Sequence, residues 1–250
     1  MEGPSLRLAA EQLAPLVGQL IRKVSGNTKI EKNRFKNKKI QSIFSYGKYL
    51  IVQFDSFALR VHFLLYGSFE ATIKRKKVTG DYPKKVRTPR LAFQLKTGHV
   101  ELYNCSVKIV EDPNLKEHCD FTIDIMADEW DETKALNHLK KQSTQEIADV
   151  LLDQTIFLGV GNIIKNEVLF LAKISPLRKV KSLSLLQLKK IVKFTRNYVF
   201  KFYEWRKIFE LRKHYQIYRQ SLCQVCGAKV IRKKTGLRNR VSFICTHCQK

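Results

Sequence analysis

The chain has 250 residues, 44% of them hydrophobic, and carries 47 Lys and Arg against 22 Asp and Glu, a formal net charge of +25. That apolar share supports a packed core and excludes a disordered chain, while the charge calls for an anionic partner, nucleic acid first and a membrane surface second. No apolar run approaches the roughly 18 residues of a spanning helix, and the acidic start lacks the basic-then-apolar plan of a secretion signal, so the chain reads as a soluble, intracellular (cytoplasmic or nucleoid) protein of one or two domains.

In chain order, residues 6–22 (LRLAAEQLAPLVGQLIR) bring Leu6, Leu8, Ala9, Leu13, Leu16 and Leu20 to helical spacing, interrupted by Pro15 and weakened by Gly18. The pattern predicts a helix near 4–14 with a loose continuation. From about 28 to 125 apolar and polar residues alternate, rich in Ile, Val, Phe and Tyr, with turn signals at Tyr46-Gly47 and Lys96-Thr97-Gly98. This texture predicts antiparallel strands forming a sandwich. The charged stretch 73–90, with a glycine and two prolines, reads as one long exposed loop.

After about residue 127 the pattern turns helical. Ser143 stands three residues before Glu146, a capping-box spacing ahead of IADVLLDQ. Gly159 and Gly161 break that segment, and NIIKNEVLFLAKI restarts a helix that Pro176 ends. Ser184 and Gln187 form a second capping-box pattern, opening a long helix with Leu188, Ile191, Val192, Thr195, Val199 and Phe202 on one face. The predicted class is α+β: a β-sandwich domain over 1–127, a hinge near 126–135, a helical domain over 136–220, and a cysteine hairpin over 221–250.

Cys105 and Cys119 stand alone, whereas Cys223, Cys226, Cys245 and Cys248 form two C-x2-C pairs around an 18-residue gap. In an intracellular chain that spacing predicts a structural Zn2+ ribbon. Four thiolates leave no open coordination position, so the metal would have no catalytic role. The intervening turn, with Lys233, Lys234, Arg238 and Arg240, is strongly basic and suits phosphates. The Gly-broken helix pair presents the start of its second helix at Asn162, where backbone N–H groups favour an anion.

These pieces resemble one family. EGPS after the first residue, YGKYL at 46–50, HFLLYG at 62–67, LLDQ with GVGNIIKNEVLF at 151–170, and the closing four-cysteine hairpin follow the order of the formamidopyrimidine-DNA glycosylase and endonuclease VIII family, over nearly the whole chain. The resemblance implies a DNA repair glycosylase with abasic-site lyase activity, acting on double-stranded DNA as a monomer. In that family the mature chain begins with proline, whose amine attacks C1′ of the damaged nucleotide, followed by a glutamate that moves protons. Glu2 falls on the glutamate, but Met1 stands in place of the proline. The size of Glu2 argues for a retained Met1. A terminal α-amine is partly free base at neutral pH and a primary amine forms an imine. Three readings therefore stand: Met1 acts as the nucleophile, Lys48 supplies the amine instead, or the chain binds damaged DNA without cutting it.

Lys48 falls on the family's essential lysine, Asn162 on its phosphate-binding asparagine and Arg240 on its hairpin arginine. Lys165, one turn beyond Asn162, is a further expected DNA contact. Leu64, Leu65 and Tyr66 match the wedge that fills the gap left by an everted nucleotide. The stretch LYNCSVKIVED at 102–112 lacks the Arg and Phe of the formamidopyrimidine-type wedge. The resemblance thus favours the endonuclease VIII branch and oxidised pyrimidines. A generic zinc-ribbon RNA binder would share the charge and the cysteines but leaves Glu2, Lys48 and Asn162 unexplained.

Overall fold

The computed structural model describes residues 1–80 and 88–250. Two compact units divide the chain, Met1–Cys119 and Asp120–Lys250.

In the first unit, helix α1 (Gly3–Leu13) starts where Pro4 occupies its first turn and buries Leu6, Ala9, Ala10 and Leu13. Proline suits that position because its missing N–H would be unpaired there anyway. The continuation past Leu13 is a single 3₁₀ turn over Ala14–Leu16. The strands are β1 (Lys23–Ser25), β2 (Ser42–Tyr46), β3 (Tyr49–Gln53), β4 (Ala58–Ile73), β5 (Lys76–Thr79), β6 (Leu91–Gln94) and β7 (Gly98–Val110). All pair antiparallel in the order β1-β6-β7-β4-β3-β2, with β5 also on β4.

The first half of β4 pairs with β3 and its second half with β5. Side chains from both halves, Leu59, Val61 and Phe63 from one and Phe69, Ala71 and Ile73 from the other, enter one core with α1. Phe35 lies fully buried at its end, its ring centroid 5.3–5.6 Å from those of Phe54, Phe57 and Phe93.

The stretch expected as one long loop is partly strand. β4 runs to Ile73, and β5 returns on it through Lys74 and Arg75, both at positive φ. Two consecutive left-handed residues match the right-handed twist of a tight hairpin, so charge and prolines nearby did not prevent pairing. Residues 81–87, the rest of that expected loop, lie outside the described residues.

In the second unit the helices are α2 (Glu132–Lys141), α3 (Ile147–Val150), α4 (Asn162–Ala172) and α5 (Leu185–Lys207), followed by the hairpin β8 (Ile231–Thr235) and β9 (Arg240–Ile244). The unit boundary precedes the hinge expected near 126–135, because Ile125 and Met126 pack into the helical core with Phe157, Ile164 and Val199. On α5 the capping box forms in both directions, Gln187 N to Ser184 Oγ at 3.2 Å and Ser184 N to Gln187 Oε1 at 2.9 Å, and all six residues of the expected face are buried. The other expected capping box does not form: α3 begins only at Ile147, with Glu146 itself in the cap position. Antiparallel pairing of Glu146 with Lys179 holds that backbone extended. Helix α4 ends before Pro176, on left-handed Lys173 (φ 61).

Glu167 is a buried carboxylate on α4 whose oxygens accept from Gln216 N (2.9 Å), Ile217 N (3.1 Å) and Tyr218 N (2.7 Å). Burial raises its pKa, against the opposing pull of those three donors. The contact fixes the segment that leads from α5 into the cysteine hairpin.

Candidate active site and nucleic-acid interface

The first constellation lies where β4 leaves its ladder. Register with β7 slips between Phe63 and Ser68, so Leu64, Leu65, Tyr66 and Gly67 oppose Asn104, which adopts φ 46. The strand bulges outward there. Gly67 makes the bulge possible, since a Cβ would meet Asn104 O at 2.7 Å and Phe63 Cα at 2.9 Å. Its effect is to release three large apolar side chains: Leu64, Leu65 and Tyr66 are 45%, 65% and 55% exposed. A strand-core role for Leu64 and Leu65 is thereby ruled out.

The amino terminus meets this bulge. The Met1 α-amine donates to Phe63 O and Leu64 O, each at 3.4 Å. The Met1 side chain leans against the core, and a Cβ on Gly80 would come within 2.9 Å of its Cε. Glu2 is the N-cap of α1, with its carbonyl taking Ser5 N at 2.9 Å and its carboxylate making no cap bond. Lys48 occupies the two-residue turn between β2 and β3, closed by the Tyr46–Tyr49 pair, with Gly47 at φ 53. Glycine is the residue that accepts this conformation without strain.

His62, the first residue of HFLLYG, belongs with these groups. It is half-buried opposite Tyr49, with ring centroids 5.4 Å apart. Its pKa is held below the usual imidazole range, first by burial and then by the charges of the α-amine, Lys48 and Arg60. The charges of the α-amine and Lys48 thus bear on one imidazole. The available signal was a histidine two residues before the Leu64-Leu65-Tyr66 run, but one histidine in a strand pattern does not announce its neighbours.

The second constellation lies in the other unit, where β9 crosses α4. Val241 O accepts from Asn162 Nδ2 (3.0 Å), Lys165 Nζ (3.2 Å) and Asn166 Nδ2 (3.4 Å). Asn162, the first residue of α4, is thereby brought to within one residue of exposed Arg240. The Asn162 Oδ1 atom is buried without a hydrogen-bond partner among the described residues. Lys165 corrects an expectation: it is fully buried, and its ammonium also donates to Ser242 Oγ at 2.8 Å. It binds the hairpin to the helix and does not face solvent. A buried charge needs such acceptors to offset lost hydration.

The four sulfur atoms of Cys223, Cys226, Cys245 and Cys248 lie within 4.8 Å of one another, with Cys223–Cys248 at 3.8 Å and Cys226–Cys245 at 3.4 Å. Tetrahedral coordination with metal–sulfur bonds of about 2.3 Å requires sulfur separations near ~3.8 Å. The donor set and spacing fit a four-thiolate metal site. Buried Cys105 sits in the first core with its thiol raised to about 12 by burial, which suits a packing role.

Two predictions follow from this geometry. Lys165→Met should cost about 1–3 kcal/mol of stability in a urea melt, yet leave unchanged the slope of log affinity for a DNA duplex against log salt. A phosphate-contacting lysine would lower that slope by about one. For His62, the unfolded imidazole titrates near 6.5 and the folded one lower. Below that pH the unfolded chain takes up the proton first, and folding weakens; above it the contribution is constant. Thermal melts from neutral to mildly acidic pH should therefore fall more steeply for the wild type than for His62→Gln.

Comparison with known proteins supplies the family. The description "Formamidopyrimidine-DNA glycosylase H2TH domain" matches residues 122–201. Human endonuclease 8-like 3 is 30% identical over 255 residues, covering 100% of this chain and 41% of that protein. The chain thus spans about two fifths of that relative's length. Endonuclease 8 of Salmonella arizonae is 27% identical over 269 residues, covering 100% of this chain and 99% of that one. A viral DNA glycosylase crystal structure superposes with a TM-score of 0.82 at 25% identity, and a Lactococcus lactis formamidopyrimidine-DNA glycosylase bound to abasic-site DNA with 0.83 at 23%, each covering 100% of both chains. With the ordered motifs and the antiparallel-plus-helical fold, these likenesses make the chain a member of the formamidopyrimidine-DNA glycosylase and endonuclease VIII family, on its endonuclease VIII-like branch.

Proposed function

We propose that the chain removes oxidised bases, pyrimidines foremost, from double-stranded DNA and then cleaves the resulting abasic site. One observation carries the reading: the Met1 amine lies on the carbonyls of the wedge bulge, while its charge and that of Lys48 both act on His62. A nucleophile beside the element that would replace an everted nucleotide is what base excision within a duplex requires.

In the proposed sequence Leu64, Leu65 and Tyr66 enter the duplex as the damaged nucleotide leaves the stack. The free-base Met1 amine attacks C1′, the bond from C1′ to the base breaks, and the base departs with a proton. The sugar ring opens to an imine between C1′ and the amine, with Glu2 moving protons. Loss of a C2′ proton then expels the 3′ phosphate by β-elimination, and water hydrolyses the imine. Lys48 supports base departure or the lesion phosphate through its charge. The Met1 side chain need not obstruct the site, since its tip leans toward Gly80 and the core.

Asn162 and Arg240 would hold backbone phosphates, and the other exposed lysines and arginines would add salt-sensitive, sequence-independent affinity. Zn2+ bound by the four cysteines would supply structural support alone, since no coordination position stays open. A second reading, damage recognition without chemistry, is favoured by Met1 standing where the family pattern implies proline.

Borohydride trapping on duplex DNA with an abasic site, followed by peptide mass spectrometry, tests both. A crosslink at Met1 is the expected result; one at Lys48 moves the nucleophile, and binding with no crosslink establishes the second reading. Glu2→Gln should slow base excision by about 10²–10⁴-fold while sparing affinity for the lesion duplex. Retained excision would remove Glu2 from the chemistry.

A further inference from the structure

The tip of the cysteine hairpin exposes Leu237 by 93%, so apolar burial does not hold it. What holds it is Asp149 of α3, a carboxylate only 4% exposed. Its Oδ2 accepts from Leu237 N at 2.5 Å and its Oδ1 from Arg238 N at 3.2 Å, so one side chain takes two successive amides of the turn. Gly236, at φ +65, allows the approach: a Cβ there would lie 2.2 Å from the carboxylate. Arg238 also reaches Asp153 at 3.4 Å. The turn so held leads directly into Arg240, which pairs with Thr235 across the hairpin. Thr235 Oγ1 lies 2.6 Å from Ser242 Oγ, which accepts from Lys165.

The geometry points to Asp149 as the positioning residue that fixes the hairpin tip on the helical core and thereby aims Arg240 at a DNA phosphate. This rests on the phosphate role proposed above for Arg240. A hairpin free at its tip would have to order on binding, and that ordering opposes affinity. Asp149 removes this cost in advance without touching DNA. Asn at 149 keeps one acceptor and turns an N–H₂ donor toward the second amide, so the clamp opens without a change in size.

The test uses the metal-loaded 250-residue chain and a duplex carrying a tetrahydrofuran abasic-site analogue. Four variants are compared with wild type: Asp149→Asn, Gly236→Ala, Arg240→Ala, and Asp149→Asn with Arg240→Ala. Asp149→Asn and Gly236→Ala should retain the metal, speed hydrogen exchange of the Leu237 and Arg238 amides at least tenfold, and weaken binding about tenfold. In the Arg240→Ala background, Asp149→Asn should cost nothing more, a non-additivity that a merely structural residue would not produce. Unchanged affinity in Asp149→Asn, or a loss that adds in full to that of Arg240→Ala, overturns the positioning role and leaves the proposed function standing. Wild-type affinity in Arg240→Ala overturns the phosphate role and this inference with it. Gly236→Ala attacks the same contact from the hairpin side, and decides the matter by the same criteria where Asp149→Asn does not fold.

Discussion

The carbonyl of Val241 is the point on which the second unit depends. A two-stranded hairpin is barely stable alone, and β8 buries little beyond Thr235. Asn162, Lys165 and Asn166, all from α4, converge on that one oxygen, and Asn166 Oδ1 takes Phe243 N at 2.8 Å in return. Gln249 adds a stitch at the far end, taking Cys245 N and giving to Ile174 O, each at 3.0 Å. The hairpin is thus docked by hydrogen bonds in a buried polar seam. Such bonds are directional, so they fix orientation as well as contact. Asn162 and Arg240 keep their mutual geometry for that reason.

The first unit solves a related problem with apolar packing. Long β4 is held on both sides by burial of alternate residues, a pattern that admits no slip without exposing the core. The bulge at 64–67 is the place where alternation is suspended. Suspension costs ladder bonds and exposes leucine and tyrosine to water, which the packing of Phe63 and Phe69 on either side sustains. The freed carbonyls of Phe63 and Leu64 then meet the α-amine.

Charge is handled differently inside and out. Most of the +25 surplus lies on exposed side chains, where water and salt screen it and an anionic partner can use it. Three of the buried charges take hydrogen-bond partners from other segments: Glu167 three amides, Asp149 two, Lys165 a carbonyl and a hydroxyl. All three join segments distant in sequence.

The sequence by itself determined the features that local chemistry dictates. The C-x2-C spacings bring the thiolates together, and the apolar stripe of α5 faces the core with its Ser184–Gln187 cap. Tertiary structure decided what depends on partners far along the chain. Ser143 and Glu146 have capping-box spacing, yet pairing of Glu146 with Lys179 overrides it. Lys165 reads from its place on the helix as a DNA contact, but β9 covers it and makes it a buried strut. His62 and Asp149 acquire meaning only from the amine and the hairpin turn that fold against them. Propensity and spacing act over a few residues, whereas burial of a charge is set by whichever segment packs over it.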